Sequence, residues 1–386
     1  VGRYGASRDF RLNAAPAANA YVRQFLFENF DEDLIRSGGL VVHTTIDRSR
    51  QASALNAVRN GIDGIRSQLK KNGKAAPDRI EHVSEMMNGV LVSLDAQSGD
   101  MLALVGGYGV SEGNMTKRIF SMLRPPGSAV KAFLYAVALD EGVLNVSSIV
   151  EDKELQIDGY SPRNWYRNYK GEMPIREAVA LSVNTVAVST LNQIGVDRFR
   201  RAMGRVLGLD AAQLKDRFPG SLSLALGTGE MTPLEMARLH APILNGGRII
   251  EPRLITRIED AQGVEIWKSE PYLSGEYVLS PSACGAALYL LESVLEEQGT
   301  AGWIGKQRNK NPKYLPFSVA GKSGTVQSTA AHYKKFPGFF GSRDAWWVGF
   351  VPGEVTVVWA GNDEGAPFPG SGAGTAGSIW ANYAQG

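Results

Sequence analysis

The sequence holds a single cysteine, Cys284, so no disulfide within the chain can staple the fold. It lies in the apolar stretch 282–291 and reads as a small buried hydrophobe. Histidine is scarce too: His43, His82, His240 and His332 stand far apart, with neither HExxH nor CxxC spacing. That pattern argues against a zinc site and predicts no metal. A Ser–His–Asp triad stays open, because spacing along the chain does not constrain it. An excess of one charge is also missing, with 41 basic against 39 acidic residues and a net of +2. Without a positive field or a polybasic run, nucleic-acid binding through phosphate neutralisation is excluded. No apolar run reaches the roughly 18–20 residues of a membrane span. The opening Val1-Gly-Arg-Tyr4 carries neither a Met nor a signal-peptide pattern. The expectation is an excised or processed fragment, with any anchor or partner domain upstream.

What is present is ordinary globular material: 386 residues, 44% hydrophobic and 21% charged. That length suits two domains, or one large domain with an appendage. Residues 1–13 read as an irregular polar lead-in. Apolar residues from Ala17 to Phe30 recur at helical spacing. Leu40–Ile46 is β-rich, and Asp47 is a good N-cap for a helix reaching about Lys71. The loop-like stretch 70–77 marks a boundary. Gly89–Asp95 and Met101–Gly106 flank a Gly-containing turn and predict an antiparallel hairpin. From about 128 to 300 the pattern is mostly helical. Strand character returns at Ser318–Ala320, Ala345–Val351 and Val355–Ala360, with a tight turn at Pro352-Gly353. The fold class expected is α+β: an antiparallel central sheet built from both ends of the domain, with helices on its faces and a small N-terminal linker region. Gly365–Gly377 is Gly-rich but short.

Three short motifs carry chemistry. In Arg124-Pro-Pro-Gly-Ser128-Ala-Val-Lys131, the prolines and glycine halt one element and a helix follows. Ser128 falls in its first turn, with Lys131 on the same face. A serine is a weak nucleophile unless a base takes its proton, and a lysine is a base only when neutral. Ser67-Gln-Leu-Lys70 fits the same Ser-x-x-Lys spacing but lies on a solvated helix, so Ser128 is preferred. The second motif, Ser182-Val-Asn184, stands in the apolar segment 178–191. It reads either as a bonded turn between helices or as a relay hydroxyl and a substrate-binding amide. The third is Gly321-Lys322-Ser323-Gly324-Thr325 on a strand. Its glycines would leave room for a substrate backbone, Lys322 supplies a cation, and Ser323 and Thr325 supply hydroxyls for a carboxylate. The strand's backbone N–H groups could complete an oxyanion hole. Taken singly, each motif also has an ordinary structural explanation, down to an edge strand kept soluble by a lysine.

Together, and in this order, the motifs resemble those of penicillin-binding proteins and serine β-lactamases. The chain is similar to the transpeptidase domain of a bifunctional (class A) penicillin-binding protein. Gly39-Leu-Val-Val-His-Thr-Thr-Ile-Asp47, the 89–107 hairpin, Tyr160-Ser-Pro-Arg-Asn164, Ile175-Arg-Glu-Ala178, Thr232-Pro-Leu-Glu-Met-Ala237 and Asp344-Ala-Trp-Trp-Val-Gly-Phe350 extend the likeness. The resemblance implies that Ser128 attacks the penultimate D-Ala of a peptidoglycan stem peptide ending in D-Ala-D-Ala. It makes Lys131 the base, Ser182 the relay, and Asn184 a substrate-binding amide. The N–H groups of Ser128 and Thr325 would hold the oxyanion, while Lys322, Ser323 and Thr325 receive the carboxylate beside Gly324. β-Lactam antibiotics would acylate Ser128, and neither a metal nor an organic cofactor is needed. Residues 1–88 are expected as a linker region after a glycosyltransferase domain and membrane anchor upstream, and 89–386 as the transpeptidase domain. The setting implied is the extracytoplasmic face of the bacterial cytoplasmic membrane, the periplasm in a Gram-negative cell.

The alternatives are a β-lactamase, a non-catalytic β-lactam sensor or scaffold, and a D,D-carboxypeptidase that uses water as acceptor. In the stretch 228–237, Glu230 and Glu235 read as structural acids rather than as a water-positioning glutamate. Two further segments depart from the pattern. The insert Val326–Arg343, with His332, Tyr333, Lys334, Lys335 and the run 336–340, either packs on itself or serves as a lid or partner-docking loop. The extension Gly302–Pro316, with Lys306, Arg308 and Lys310, reads as solvated. Trp165, Tyr166 and Tyr169 near the second motif read as core aromatics rather than cleft residues.

Overall fold

The computed structural model describes residues 2–3, 14–108 and 112–386. Most of the polar lead-in therefore lies outside the described residues. Gly2–Arg3 forms a short strand against Val41–Val42.

Five strands make the central sheet: β1 (Met87–Asp95), β2 (Met101–Val105), β3 (Ala320–Gln327), β4 (Ser342–Val351) and β5 (Glu354–Asn362). Their order is β3-β4-β5-β1-β2, every neighbouring pair antiparallel. The first hairpin and the final meander thus meet at β1 and β5, and the expected sheet from both ends of the domain is the one observed. β5 is buried along its whole length and β1 almost so, because helices cover both faces. Continuous apolar runs such as Val355–Ala360, without polar alternation, reflect that double burial.

The helices that matter for the site are α1 (Arg48–Asn72), α2 (Lys131–Asp140), α3 (Ile175–Ala180), α4 (Asn184–Ile194), α5 (Pro233–Leu244) and α6 (Gly377–Ala384). Asp47 caps α1 as expected, accepting the Arg50 N–H at 2.8 Å. Ala54, Val58, Ile62, Ile65 and Leu69 form its buried stripe, and α1 and α6 pack together against the sheet. The N-terminus of α5 is a Thr232–Glu235 capping box with Pro233 in the first turn, and α5 covers the opposite face. Among the described residues no helix is long and apolar enough to cross a membrane.

The helical reading of the middle needs correction. Arg248–Ile250, Ile255–Glu259, Glu265–Lys268 and Leu273–Tyr277 are strands. Ile255–Glu259 pairs with Val41–Thr44 from near the other end of the chain. Strands this short carry too few alternations to register as a period, and a distant partner stabilises them. The extension at 302–316 also differs from a solvated loop. It contains the helix Gly302–Lys310 and buries Ile304 and Leu315, while Lys306 and Lys310 stay exposed.

The insert is docked rather than free. β3 runs on to Gln327 and β4 begins at Ser342, so the excursion is residues 328–341 with a short helix Ala330–Lys335. Phe336 and Phe339 are buried, Phe340 is exposed, and Lys74 N–H donates to Gly338 O at 3.4 Å. Arg79 donates to Lys335 O at 3.4 Å, which ties the insert to the segment after α1.

At the far end of β5, buried Glu354 accepts from Ser93 Oγ, from Tyr383 OH at 2.5 Å and from Thr356 Oγ1 at 3.2 Å, and it pairs with Arg50 of α1. Burial and the neighbouring carboxylate push the Tyr383 phenol up, so it stays a donor. Glu354→Ala orphans buried hydroxyls and is expected to cost about 3 kcal/mol in urea unfolding. Arg50→Ala leaves the buried Glu354 carboxylate without its cation and is expected to cost about 1–3 kcal/mol in the same measurement.

Candidate active site

Pro125-Pro126 stop the preceding chain, and Gly127–Val130 forms a single 3-10 turn that runs directly into α2. The turn is held from outside. Arg124 exchanges backbone hydrogen bonds with Met231 at 3.1 and 3.0 Å, and Trp346 Nε1 donates to Pro125 O at 3.0 Å. Gly127, Ala129 and Val130 are buried, whereas Ser128 stays partly accessible. In a 3-10 turn residues three apart eclipse, so Lys131 lies beneath Ser128, fully buried.

Ser182 sits in the turn between α3 and α4 with φ of +55°, a left-handed conformation a serine adopts only under constraint. The constraint is visible in its partners. Lys131 Nζ donates to Ser182 O at 2.9 Å and to Asn184 Oδ1 at 2.7 Å, and lies 3.3 Å from Ser182 Oγ. Lys322 Nζ, also fully buried, donates to Ser182 Oγ at 2.9 Å and to Ser323 O at 3.0 Å. Burial, then the charge of Lys322, hold Lys131 well below the usual lysine range; burial lowers Lys322 to about 7.

β3 lies against the Ser128 turn. A methyl group at Gly324 would come 2.1 Å from Pro126 O, and one at Gly321 would strike the Trp347 ring at 2.5 Å. These glycines therefore have a structural reason beyond the expected one: the space a side chain would need is filled by protein. The Ser323 hydroxyl is 3.3 Å from Thr300 Oγ1, and the Thr325 hydroxyl accepts the Gly372 N–H at 2.9 Å. Sequence reasoning missed Thr300. Gly372 was visible only as part of a Gly-rich stretch.

Ser128, Lys131, Ser182, Asn184, Lys322, Ser323, Gly324 and Thr325 thus converge on one place. The Ser128 hydroxyl accepts no hydrogen bond from Lys131 in this structure; the lysine is engaged by Ser182 and Asn184. Ser67 and Lys70 lie elsewhere, exposed on α1, with Lys70 paired to Glu81. No histidine bonds to Ser128 among the described residues. His43 pairs with Glu259, His82 with Glu364, His240 with Met236 O and His332 with Thr329. Cys284 is buried, its thiol pushed up to about 12 by burial and Asp140. Glu230 is exposed, and Glu235 is engaged by Arg217 at 2.6 Å and by its own capping box. The aromatic expectation is overturned in part. Trp165 is 66% exposed and Tyr169 44%, because they ride on an irregular loop outside the core, with Trp165 Nε1 donating to Leu181 O at 3.0 Å.

Comparison with known proteins agrees with this geometry. Residues 89–382 match the penicillin binding protein transpeptidase domain. Penicillin-binding protein 1A of Neisseria meningitidis is 31% identical over 359 residues, covering 88% of this chain and 41% of that protein. Penicillin-binding protein 1B of Vibrio cholerae is 26% identical over 373 residues, 94% of this chain and 43% of that one. The chain spans about two-fifths of the length of these curated relatives. Among solved structures, penicillin-binding protein 1A from Haemophilus influenzae superposes with a TM-score of 0.77 at 24% identity, over 96% of this chain and 70% of that one. PonA1 from Mycobacterium tuberculosis, solved in complex with penicillin V, gives 0.71 at 22% identity, over 96% and 92%. The sheet, the three converging motifs and the match across residues 89–382 lead to one conclusion: the chain belongs to the penicillin-binding protein transpeptidase family, alongside the class A proteins 1A and 1B.

Proposed function

We propose that this chain is a peptidoglycan D,D-transpeptidase that works through a Ser128 acyl-enzyme and is inhibited by β-lactams. The observation that carries this reading is Ser182 Oγ lying between the two buried lysine nitrogens. Two ammonium groups bracketing one oxygen away from water repel each other, so one of the pair is neutral. Lys131, which burial and then the charge of Lys322 lower, is the neutral one on this reading. A neutral amine has two N–H groups and one lone pair. Ser182 O and Asn184 Oδ1 take the N–H groups, which leaves the lone pair for a hydroxyl proton.

Ser128 Oγ attacks the carbonyl carbon of the penultimate D-Ala and its proton passes to Lys131. The N–H groups of Ser128 and Thr325 hold the oxyanion. The C–N bond breaks, and Lys131 returns the proton to the departing D-Ala nitrogen by way of Ser182. An amine from a neighbouring stem peptide then attacks the ester, loses its proton by the same route, and frees Ser128 with a new amide cross-link. Lys322, Ser323 and Thr325 receive the substrate carboxylate, and Gly324 keeps β3 flush against the nucleophile's turn. A β-lactam ring opens on the same serine. Glu235 is held by Arg217 and by its own capping box rather than free to position water for deacylation, which favours transpeptidation over a β-lactamase. On this reading residues 1–88 are the linker region and 89–386 the transpeptidase domain. The glycosyltransferase domain and membrane anchor would lie upstream, at the extracytoplasmic face of the cytoplasmic membrane.

Intact-protein mass spectrometry after adding benzylpenicillin is expected to show one long-lived adduct. It should persist in Ser67→Ala and vanish in Ser128→Ala. An adduct that turns over within minutes, with hydrolysed drug, would instead indicate a β-lactamase. Stem peptides ending in D-Ala-D-Ala should yield cross-linked product; acylation without it would leave a sensor, and hydrolysis alone a carboxypeptidase.

The acylation rate should be bell-shaped in pH. It rises as Lys131 loses its proton and falls as Lys322 loses its charge near pH 7. Lys322→Gln removes the like charge that holds Lys131 down, so the acid limb is expected to move to higher pH in stopped-flow acylation.

A further inference from the structure

α4 begins at Asn184, yet its own N-cap residue, Val183, has no side chain that can bond the free N–H groups of the first turn. The cap comes from another segment. Asn164, 4% exposed, accepts the N–H of Asn184 at 2.9 Å and of Thr185 at 3.4 Å through Oδ1. Its Nδ2 donates to Asp152 at 2.7 Å, which determines which way the amide faces. Asp152 is fully buried and has no ion-pair partner among the described residues. Four donors satisfy it: Asn164, Thr185 Oγ1 at 2.5 Å, Tyr166 OH at 2.5 Å and Lys170 N–H at 2.9 Å. Burial raises this carboxyl, but these hydrogen bonds outweigh it and keep it below the ordinary range, so it is an anion. The Asn184 amide is fixed at its other end as well, donating from Nδ2 to Arg163 O at 2.7 Å and presenting Oδ1 to Lys131.

We propose that Asp152, acting through Asn164, is a positioning pair for the Lys131 base: it caps α4 from outside and so aims the Asn184 amide at the Lys131 amine. This rests on Ser128 and Lys131 being the nucleophile and base. Neither Asp152 nor Asn164 touches the reacting atoms. Their contribution is orientation, relayed through Asn184. The charged and titratable groups around the relay are Lys322 beside Lys131, and Tyr166 beside Asp152 with Lys170 and Glu177 beyond it.

The test is the rate of acylation by benzylpenicillin across pH, with melting temperatures as the measure of folding. Asn164→Ala and Asp152→Asn are each expected to slow acylation between tenfold and roughly a hundredfold, the usual penalty for a misplaced catalytic group. The paired change Asp152→Asn with Asn164→Asp reverses the polarity of the Asn164–Asp152 hydrogen bond and keeps a single anion; the Asn164 Nδ2–Asn168 O bond at 3.2 Å is given up, and Thr185 Oγ1 turns from donor to acceptor. The amide at 152 donates to the carboxylate at 164, which still accepts the Asn184 N–H. It is expected to recover most of the rate. It should also move the acid limb to higher pH, because the anion now lies one hydrogen bond closer to Lys131 and favours its protonated form. A merely structural pair would lower the melting temperature of the singles without slowing acylation by the folded protein. Singles that acylate like the parent, or a paired variant that is folded but as slow as the singles, would overturn the proposal. Where the paired variant does not fold, the singles decide: slowed acylation by folded singles supports the proposal, and parent-like acylation overturns it. If the parent chain forms no Ser128 adduct, the catalytic reading itself fails, a result separate from these.

Discussion

The site depends on two lysines sharing one hydroxyl in a place water does not reach. Lys131 and Lys322 come from opposite ends of the domain, α2 and β3, and meet at Ser182 Oγ. Burying two cations without a carboxylate costs stability, and burial accordingly lowers both lysines, Lys322 to about 7. Much of the surrounding architecture serves that arrangement. The tight turn at Pro126-Gly127 puts Ser128 above Lys131, and the left-handed Ser182 turns a carbonyl and a hydroxyl toward the two amines. The sheet brings β3 into register so that Lys322 arrives from the other side.

The same economy explains the segments between the motifs. Residues 152–170 are irregular, yet their buried groups bond one another through Asp152 and Asn164 and end on the first turn of α4. Thr300 and Gly372 reach the Ser323 and Thr325 hydroxyls from loops far apart in sequence. These contacts are polar and local, so they set angles and protonation states while the apolar layers around the sheet supply bulk stability.

The residues that converge on the candidate site were legible because each motif is a contiguous run whose residue types make chemical sense together. The first hairpin, the closing strands and the Asp47 cap were legible from turns and periodicity. What escaped depends on distant pairing. The short strands at 248–277 exist because Val41–Thr44 and their own neighbours accept them. Thr300 is an ordinary threonine until the fold places it beside Ser323. Trp165 looked like core material because its hydrophobicity is visible in sequence and its loop's path is not. The glycines of the third motif have a further reason that only the fold reveals, since the space their missing side chains leave is taken by Pro126 and Trp347.

Those two glycines also act as a key. β3 is the outer strand of the sheet and has a ladder partner on one side only, so backbone pairing alone would let it slide against β4. Gly321 meets the Trp347 ring and Gly324 meets the Pro126 carbonyl, two points where no side chain fits. A shift by one residue would drive Lys322 or a hydroxyl residue into one of those stops. The strand can therefore seat in one alignment, and that alignment buries Lys322 against Ser182. The placement of Lys322 is thus set by where atoms are missing, three residues apart, along an otherwise slippery edge.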